Sequence, residues 1–509
     1  MANEPVANQE HVLASSQDSC QKLNLESPIE QALSDTLFVS FDSGYYIGMM
    51  SGTSLDGMDA VICQFDLPVE EEHPNTTKII ATHSKDFPDN LREVLLALCL
   101  PNVTTNLAYP ASNIILEQQP QSELDWFGWA SREYAEFAST VVNELLDKSG
   151  ITPEAILAIG CHGQTVRHRP NLGFTLQLVD PNIIAERTGI SVVTDFRRRD
   201  MAVGGQGAPL APAFHLAQFG MADDTDNATA AALKHRIVVN LGGIANITVL
   251  PAYQTHSVTG YDTGPANILL DAWYQKHENT LNAPSDNAKS NAEPFESTVP
   301  LYDKNGQWAK SGQVNDDLLA QLLTHPYFAQ PTPKSTGRED FHLNWLNEQI
   351  ALVSETLIDV KTKVQINAQI NGQINAHTDA QINAQTDTQT KTQSGTSMSP
   401  EDVQATLTAF TAQTLSDAIK AEALRLNMTE GEVIICGGGA YNAYLLEQIA
   451  ERLPNWTVLT SEDFGIAPTW VEAIAFAWLA RQTIMGETGN LPAVTGASKS
   501  VLLGQVCFA

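Results

Sequence analysis

Apolar residues in this chain fall into short runs that end in glycine. Residues 47–50 and 60–65 form two such runs, and the residues between them include Gly52, Thr53, Ser54, Asp56, Gly57 and Asp59. Runs of that length bounded by turn residues predict two strands of a hairpin. The stretch RIVVNLGGIANITVL repeats the arrangement, with apolar residues 237–241, Gly242 and Gly243 at the turn, then apolar residues 244–250. In EVIICGGGAYNAYLLEQIAERL an apolar strand meets Gly437, Gly438 and Gly439, and an amphipathic helix follows. The rest alternates strand-like and helix-like segments, which predicts an α/β protein. Three strands that each end in a glycine-bearing turn predict two related halves with the turns around one cleft.

Two segments lack this patterning. Residues 1–42 are polar and irregular and read as an extension. Residues 364–398 repeat a Gln-Ile-Asn-Ala unit and hold almost no large apolar side chains. Such a stretch buries too little surface to offset its ordering entropy, so it reads as a low-complexity insertion in a surface loop. It stops at Ser399 and Pro400, an N-cap and a first-turn proline, after which Val403, Leu407 and Phe410 recur at helical spacing.

A chain of 509 residues exceeds one core, so two domains are expected. The 59 acidic and 28 basic residues argue against a nucleic-acid binder, which would carry a basic stripe. The six cysteines are widely spaced without a CxxC pair, so a zinc ribbon is not expected and a reducing, cytoplasmic setting is. The opening residues lack the basic and apolar regions of a signal peptide, and no run reaches the ~20 apolar residues of a membrane span.

Backbone N–H groups at a glycine turn approach a phosphate closely, and Thr or Ser hydroxyls add donors. Carboxylates beside a phosphate call for a bridging Mg²⁺. Gly52, Thr53, Ser54 and Gly57 therefore suit a phosphate cradle, with Asp56 or Asp59 toward the metal; the alternative is a tight hairpin with polar decoration. The sequence has no GxxxxGK[ST], and Asn442 stands where a GxGxxG fingerprint needs its third glycine.

Hairpin, second hairpin and strand-GGG-helix together resemble the acetate/sugar-kinase, heat-shock ATPase and actin superfamily. The strings GMMSGTSLDGMDAV, GCHGQTVRH, TGISVVTDFRRRDMAVGGQGAPLAPAFH, NLGGIANIT, GYDTGPANILLDAW, PKSTGRE and EAIAFAWLA resemble the anhydro-N-acetylmuramic acid kinase family from about residue 46 to the C-terminus. That resemblance implies two RNase-H-like domains flanking a nucleotide cleft, the actin-like ATPase fold. Residues 43–235 would form the first domain and 236–470 the second, which carries the insertion. Residues 471–509 would return to the first. The implied reaction uses ATP, Mg²⁺ and water to open 1,6-anhydro-N-acetylmuramic acid and phosphorylate its O6. A homodimer is compatible with the resemblance.

Under that resemblance the nucleotide is bound by Gly52, Thr53, Ser54, Leu55, Asp56, Gly57, Met58, Asp59, Gly242, Gly243, Gly437, Gly438, Gly439 and Asn442. Asp195 is the expected general base. It ends the strand-like run GISVVTDF and precedes Arg197, Arg198 and Arg199, and neighbouring cations favour the ionised form of a carboxylate. A purely structural pairing with those arginines is the alternative, and Asp200 is the competing base. His162, Gln164, Arg197 and Glu472 are expected on the sugar side. His162 is alternatively a structural group, and Glu472 alternatively complements the helix dipole. Lys334 and Arg338 are placed near the nucleotide or in a solvated loop. Many superfamily members carry an Asp where this chain has Met50 and Ser51, which leaves Asp56, Asp59 and Asp262 as metal candidates. Another sugar or carboxylate kinase of this fold, or an actin-like ATP switch, is the rival reading.

Overall fold

Strand β1 (Tyr45–Met50) is apolar on both faces and sits inside a sheet, between an antiparallel neighbour β2 (Gly57–Gln64) and a parallel one, β4 (Ile156–Cys161). The remaining strands are β3 (Lys78–Asp86), β5 (Gln164–Arg169), β6 (Phe174–Leu178), β7 (Val192–Thr194), β8 (Arg236–Leu241), β9 (Ile244–Leu250), β10 (Thr259–Pro265), β11 (Gly431–Cys436), β12 (Trp456–Thr460) and β13 (Gln505–Cys507). The helices used below are α1 (Asp89–Cys99), α2 (Glu123–Ser149), α3 (Pro181–Thr188), α4 (Phe196–Ala202), α5 (Ala211–Phe219), α6 (Asn267–Leu281), α7 (Gln307–Ser311), α8 (Asp316–Leu322), α9 (Pro400–Arg425), α10 (Ala443–Arg452) and α11 (Val471–Met485). This computed structural model describes residues 44–52, 55–65, 77–100, 120–220, 234–252, 257–281, 302–355 and 398–509, and of 278–281 the backbone only. The N-terminal extension and residues 364–397 of the insertion lie outside the described residues.

The first sheet has the order β13-β7-β4-β1-β2-β3 and the second β10-β9-β8-β11-β12. In each, three consecutive antiparallel strands are followed by two that run parallel to the first: β1-β2-β3 then β4 and β7, and β8-β9-β10 then β11 and β12. This is the RNase-H-like pattern, present twice. The two expected hairpins are β1–β2 and β8–β9, and β13 adds an antiparallel edge to β7 from the far end of the chain. All described residues belong to one unit, residues 42–509.

Each sheet buries its outer face under helices. On the first, Ile47, Met49 and Ile159 meet Leu95, Tyr134, Val141 and Ile184 of α1, α2 and α3. On the second, Ile237, Val239 and Ile435 meet Leu415, Ile419 and Ile449 of α9 and α10. Between the inner faces lie α5 and α11, whose Phe214, Phe219, Ile474 and Phe476 join Tyr46 and Val193 of one sheet to Val238 and Ile434 of the other. Within this layer His215 is fully buried, with Nδ1 2.9 Å from Thr248 Oγ1, and burial pushes its pKa down to about 3. Helix α9 starts where the sequence expects: Ser399 Oγ accepts the Asp402 N–H, and Met398 packs into the core beside α9. Among the described residues no helix is long and apolar enough to cross a membrane.

The contact of α11 with the first sheet has almost no clearance. A Cβ on Gly48 of β1 would lie 1.9 Å from Ala473 O, and one on Gly160 of β4 would lie 2.0 Å from Phe476 O. Both clashes are with helix backbone, which cannot move aside as a side chain tip can. Gly160→Ala is therefore expected to lower the unfolding free energy by at least ~2 kcal/mol, read by denaturant titration. Gly128→Ala, on α2 with no atom within 4 Å of the new methyl, is the opposite case. It is expected to be neutral or to gain up to ~1 kcal/mol, because glycine is a poor helix former. Equal losses in the two variants would mean that α11 does not lie this close to the sheet.

Candidate active site

The first glycine turn joins β1 to β2. Thr53 and Ser54 lie outside the described residues. Leu55 and Met58 are core residues beneath the turn, and Leu55 adopts a left-handed backbone with φ of 57°. The Leu55 N–H donates to Gly52 O at 3.2 Å. A Cβ on Gly57 would come within 2.4 Å of Lys85 O, so the adjoining strand β3 already requires this glycine. Asp56 is exposed and pairs with Arg92 at 3.2 Å. Asp59 is half-buried, which raises its pKa, while a 2.6 Å hydrogen bond from Ser84 Oγ opposes that rise.

The second and third turns are held against each other. A Cβ on Gly437 would lie 2.3 Å from Asn240 Oδ1, and one on Gly439 would lie 2.6 Å from Leu241 Cβ. At Gly242 and Gly438 a Cβ would fit, its nearest atoms at ordinary contact distances of 3.6 and 3.8 Å. The carbonyls of Gly242 and Gly243 receive N–H bonds from Asn267, Ala266 and Ile268, so the start of α6 is docked on this turn. The helix expected directly after the three glycines begins later. A 3₁₀ turn, Gly438–Tyr441, intervenes, and Asn442 is the N-cap of α10, its Oδ1 accepting the Leu445 N–H at 3.0 Å.

Asp195 follows β7 and precedes α4. Its backbone is left-handed (φ 59°, ψ 42°), a conformation that costs a non-glycine residue roughly 1–3 kcal/mol and collects at functional sites. Its side chain is 11% exposed and is gripped from both sides by Arg198: Nε donates to Oδ1 at 2.6 Å and Nη2 lies 2.5 Å from Oδ2. Arg197 turns the other way. Its Nε and Nη2 donate to His162 Nε2 at 3.1 and 2.9 Å, and Nη1 donates to Gly207 O at 2.9 Å. Because His162 Nε2 accepts from a guanidinium, the ring is neutral. Burial and the Arg197 charge both hold its pKa well below the usual imidazole range. Burial also lowers Arg197 to about 10, against the pull of Glu472 and then Asp200.

Glu472 stands in the first turn of α11, where it accepts from Asn240 Nδ2 at 3.1 Å. Burial raises its pKa, Arg197 and Asn240 oppose the rise, and Asp59 adds to it. Glu472 thus brings the first turn, the second turn and the Asp195 loop to one place. Asp200 is fully buried and accepts three hydrogen bonds, from Gly207 N, Asn490 Nδ2 and Thr495 Oγ1, at 2.7–2.8 Å. It shapes the loop after Asp195, and its burial and three partners set it apart from a base that must meet a water. Gln164 accepts from Ser51 Oγ at 2.8 Å, which leaves Ser51 to accept from the Tyr134 hydroxyl at 3.0 Å. Ser51 stands where the superfamily resemblance led to an expected Asp, so this position anchors the turn through neutral hydrogen bonds.

Asp262 lies on β10 beneath the loop that carries Lys334 and Arg338. Its Oδ2 accepts the Thr336 N–H at 3.0 Å, and burial pushes its pKa up to about 7. The Lys334 ammonium donates to the carbonyls of Tyr327 and Phe328 within its own half, whereas Arg338 acts electrostatically on Cys99 of α1. Among the described residues no three His, Cys, Asp or Glu side chains gather to hold a metal. One carboxylate of interest escaped sequence reasoning. Asp271, four residues into α6 from Asn267 in GYDTGPANILLDAW, is pushed up to about 7 by burial, Asp56 and Asp303. Its helical spacing from the residue docked on the second turn was the available signal.

A family model described as anhydro-N-acetylmuramic acid kinase matches residues 44–386 and 380–509. The chain is 51% identical over 496 residues to the anhydro-N-acetylmuramic acid kinase of Psychrobacter cryohalolentis, covering 94% of this chain and 98% of the relative. Identity to the enzyme of the same name from Psychrobacter arcticus is 50% over 503 residues, with the same coverage. To that from Shewanella putrefaciens it is 41% over 465 residues, covering 91% and 98%.

Asp271 makes a pH dependence that can be measured. Its folded pKa, about 7, lies above the ordinary carboxylate value, so the folded state binds the proton more tightly than the unfolded state. The contribution to stability is therefore lost as pH rises from about 4 through 7. An asparagine at this position would not titrate. Asp271→Asn is expected to raise the melting temperature of the ligand-free protein at pH 8, with the gain vanishing toward pH 4. Identical melting curves for variant and parent at pH 8 would refute the strain assigned to this carboxylate.

Proposed function

We propose, from the premise that this chain belongs to the anhydro-N-acetylmuramic acid kinase family, that Asp195 activates the water that opens 1,6-anhydro-N-acetylmuramic acid at the glycine-turn cleft. The chain is a kinase, a phosphotransferase acting on a sugar hydroxyl. The proposed products are N-acetylmuramic acid 6-phosphate and ADP, formed in the recycling of cell-wall sugar. The free thiols Cys63, Cys99, Cys161, Cys436 and Cys507 suit a cytoplasmic setting for that reaction.

The single observation that carries this reading is the strained, clamped Asp195 at the end of β7. Water attacks the anomeric carbon and gives its proton to an Asp195 oxygen. The bond from that carbon to O6 breaks, and O6 takes the γ-phosphoryl group from ATP, with ADP leaving. Such a transfer asks the protein for positioning and charge stabilisation more than for covalent chemistry. Arg198 fixes the direction of the Asp195 carboxylate, and Arg197, two residues on, keeps a buried positive charge that donates to His162 and Gly207. Gly242 and Gly438, where packing does not itself demand a glycine, suit the close approach of phosphate oxygens. Asp56, Asp59 and Asp262 are the carboxylates available to a Mg²⁺, which would neutralise phosphate charge when bound; one or two of them with phosphate oxygens meet its needs.

Asp195→Asn keeps the shape and removes the basic oxygen. It is expected to lower kcat by ~10²–10⁴-fold while ADP affinity, measured by calorimetry, stays within about threefold. More than a tenth of the parent rate would remove Asp195 from this role.

The water itself supplies the second test. In ¹⁸O-water the label is expected at the anomeric hydroxyl alone, with the O6–phosphorus bridge unlabelled, when product is quenched cold and weighed by mass spectrometry. Label in the phosphate would mean that ATP is hydrolysed first, and equal phosphorylation of ordinary N-acetylmuramic acid would favour a sugar kinase that uses a free hydroxyl.

A further inference from the structure

The residues after α11 run back along the first half and grip the Asp195 segment from both sides. Before Asp195, strand β13 pairs antiparallel with β7 and sets Gln505 opposite Thr194, the residue next to Asp195. After it, the Gln206 N–H donates to Thr495 O at 2.8 Å, and Val203 O accepts from the Ser498 N–H and from Ser498 Oγ, each at 2.8 Å. Side chains repeat the grip. Asn490 Nδ2 and Thr495 Oγ1 both donate to Asp200 Oδ1 at 2.7 Å, and Asp200 Oδ2 accepts the Gly207 N–H at 2.8 Å. Asn490 is itself fixed, because its Oδ1 accepts the Val501 N–H at 2.7 Å. Asp200, Asn490 and Thr495 are all buried.

A buried carboxylate that loses its donors is costly, so Asp200 must stay where Asn490 and Thr495 hold it. Asp200 lies in α4, a helix of only seven residues that begins directly after Asp195. Anchoring one residue of so short a helix fixes its rotation. The anchor also reaches Arg197, because Gly207, held by Asp200 through its N–H, accepts from Arg197 Nη1 on its carbonyl at 2.9 Å. The left-handed backbone of Asp195 is a conformation that persists only where its surroundings over-determine it. Strand β13 does so on one side, and the cluster of Asn490, Thr495 and Asp200 on the other.

We infer that Asn490 and Thr495 are positioning residues for the reaction, which act through Asp200 to fix α4 and with it the directions of the Asp195 carboxylate and of Arg197. Their part in turnover rests on the role proposed above for Asp195. The segment after α11, some 290 positions from the residues it holds, thus belongs to the machinery that aims the base.

Steady-state kinetics on the full chain, with ATP and 1,6-anhydro-N-acetylmuramic acid, test this. Thr495→Val removes the hydroxyl and keeps the shape. It is expected to lower kcat ~10–10²-fold, the scale of a displacement of about 1 Å at a reacting group, with the KM for ATP within about threefold of the parent. Thr495→Ser keeps the hydroxyl and is expected to return kcat to within about threefold of the parent. In the Asp195→Asn background Thr495→Val should cost no more than about twofold further, as for residues acting through one path. Asn490→Asp sets a second carboxylate against Asp200, whose charged neighbour is Arg197. Two facing carboxylates take up a shared proton as pH falls, and that proton restores the lost hydrogen bond. The kcat of Asn490→Asp relative to the parent is therefore expected to rise at least about fivefold from pH 8.5 to pH 6. Circular dichroism at both pH values checks that the folded fraction is the same. A parent-like kcat in Thr495→Val, a Thr495→Ser as slow as Thr495→Val, a full additional loss in the Asp195→Asn background or a pH-independent ratio for Asn490→Asp overturns the inference. If Asp195→Asn itself keeps more than a tenth of the parent rate, the proposed base falls and takes this inference with it. If one of Thr495→Val and Asn490→Asp fails to fold, the other decides.

Discussion

The backbone contact between α11 and the first sheet is the constraint on which the site depends. Gly48 and Gly160 let two strands lie against the helix with no side chain between them. Any larger residue would lift α11 away, and Glu472 at its first turn would move with it. The same helix presents its remaining faces to α5 and the second sheet, so its placement also sets the distance between the halves. A tight helix–strand contact thereby fixes where two glycine turns and the Asp195 loop meet.

Charge at that meeting point is organised around one buried guanidinium. Arg197 is kept cationic by Glu472 and Asp200 despite its burial, and its donors keep His162 neutral. Arg198 handles Asp195 separately. The adjacent arginines therefore have different duties: one builds the floor and the other aims the carboxylate. Opposing this, Asp262 and Asp271 are carboxyl groups with pKa values pushed up to about 7 in the ligand-free protein. Burial is the main cause of both rises, with Glu339 adding to the first and Asp56 and Asp303 to the second.

Some glycines of the phosphate-like turns serve the fold before they serve any ligand. Gly57 is demanded by β3, and Gly437 and Gly439 by the end of β8. At Gly242 and Gly438 a Cβ would meet its neighbours at ordinary contact distance, so their lack of a side chain is not explained by packing. The distinction separates residues whose substitution would disturb the sheet from those whose substitution would obstruct a ligand.

Much of this was readable along the chain. Strand–glycine-turn patterning is local, because alternation, apolar runs and turn residues act over a few positions. It located both hairpins, the third turn and the start of α9 at Ser399. The family strings identified the kinase chemistry and singled out Asp195 as the candidate base, since motif order survives without coordinates. Partnerships were not readable, because they join residues distant in sequence. Whether Asp195 would pair with Arg197 or Arg198 depended on the left-handed turn at Asp195, which sends consecutive side chains in different directions. Asp200 looked like a rival base until folding brought Asn490 and Thr495, 290 and 295 positions away, onto its carboxylate. Asp271 gave no sign of strain in sequence, because burial and the approach of Asp56 from the other half exist only after folding. Sequence alone determined the elements, the turn chemistry and the family; tertiary structure decided which charges meet, because electrostatics depends on distance in space and on the exclusion of water.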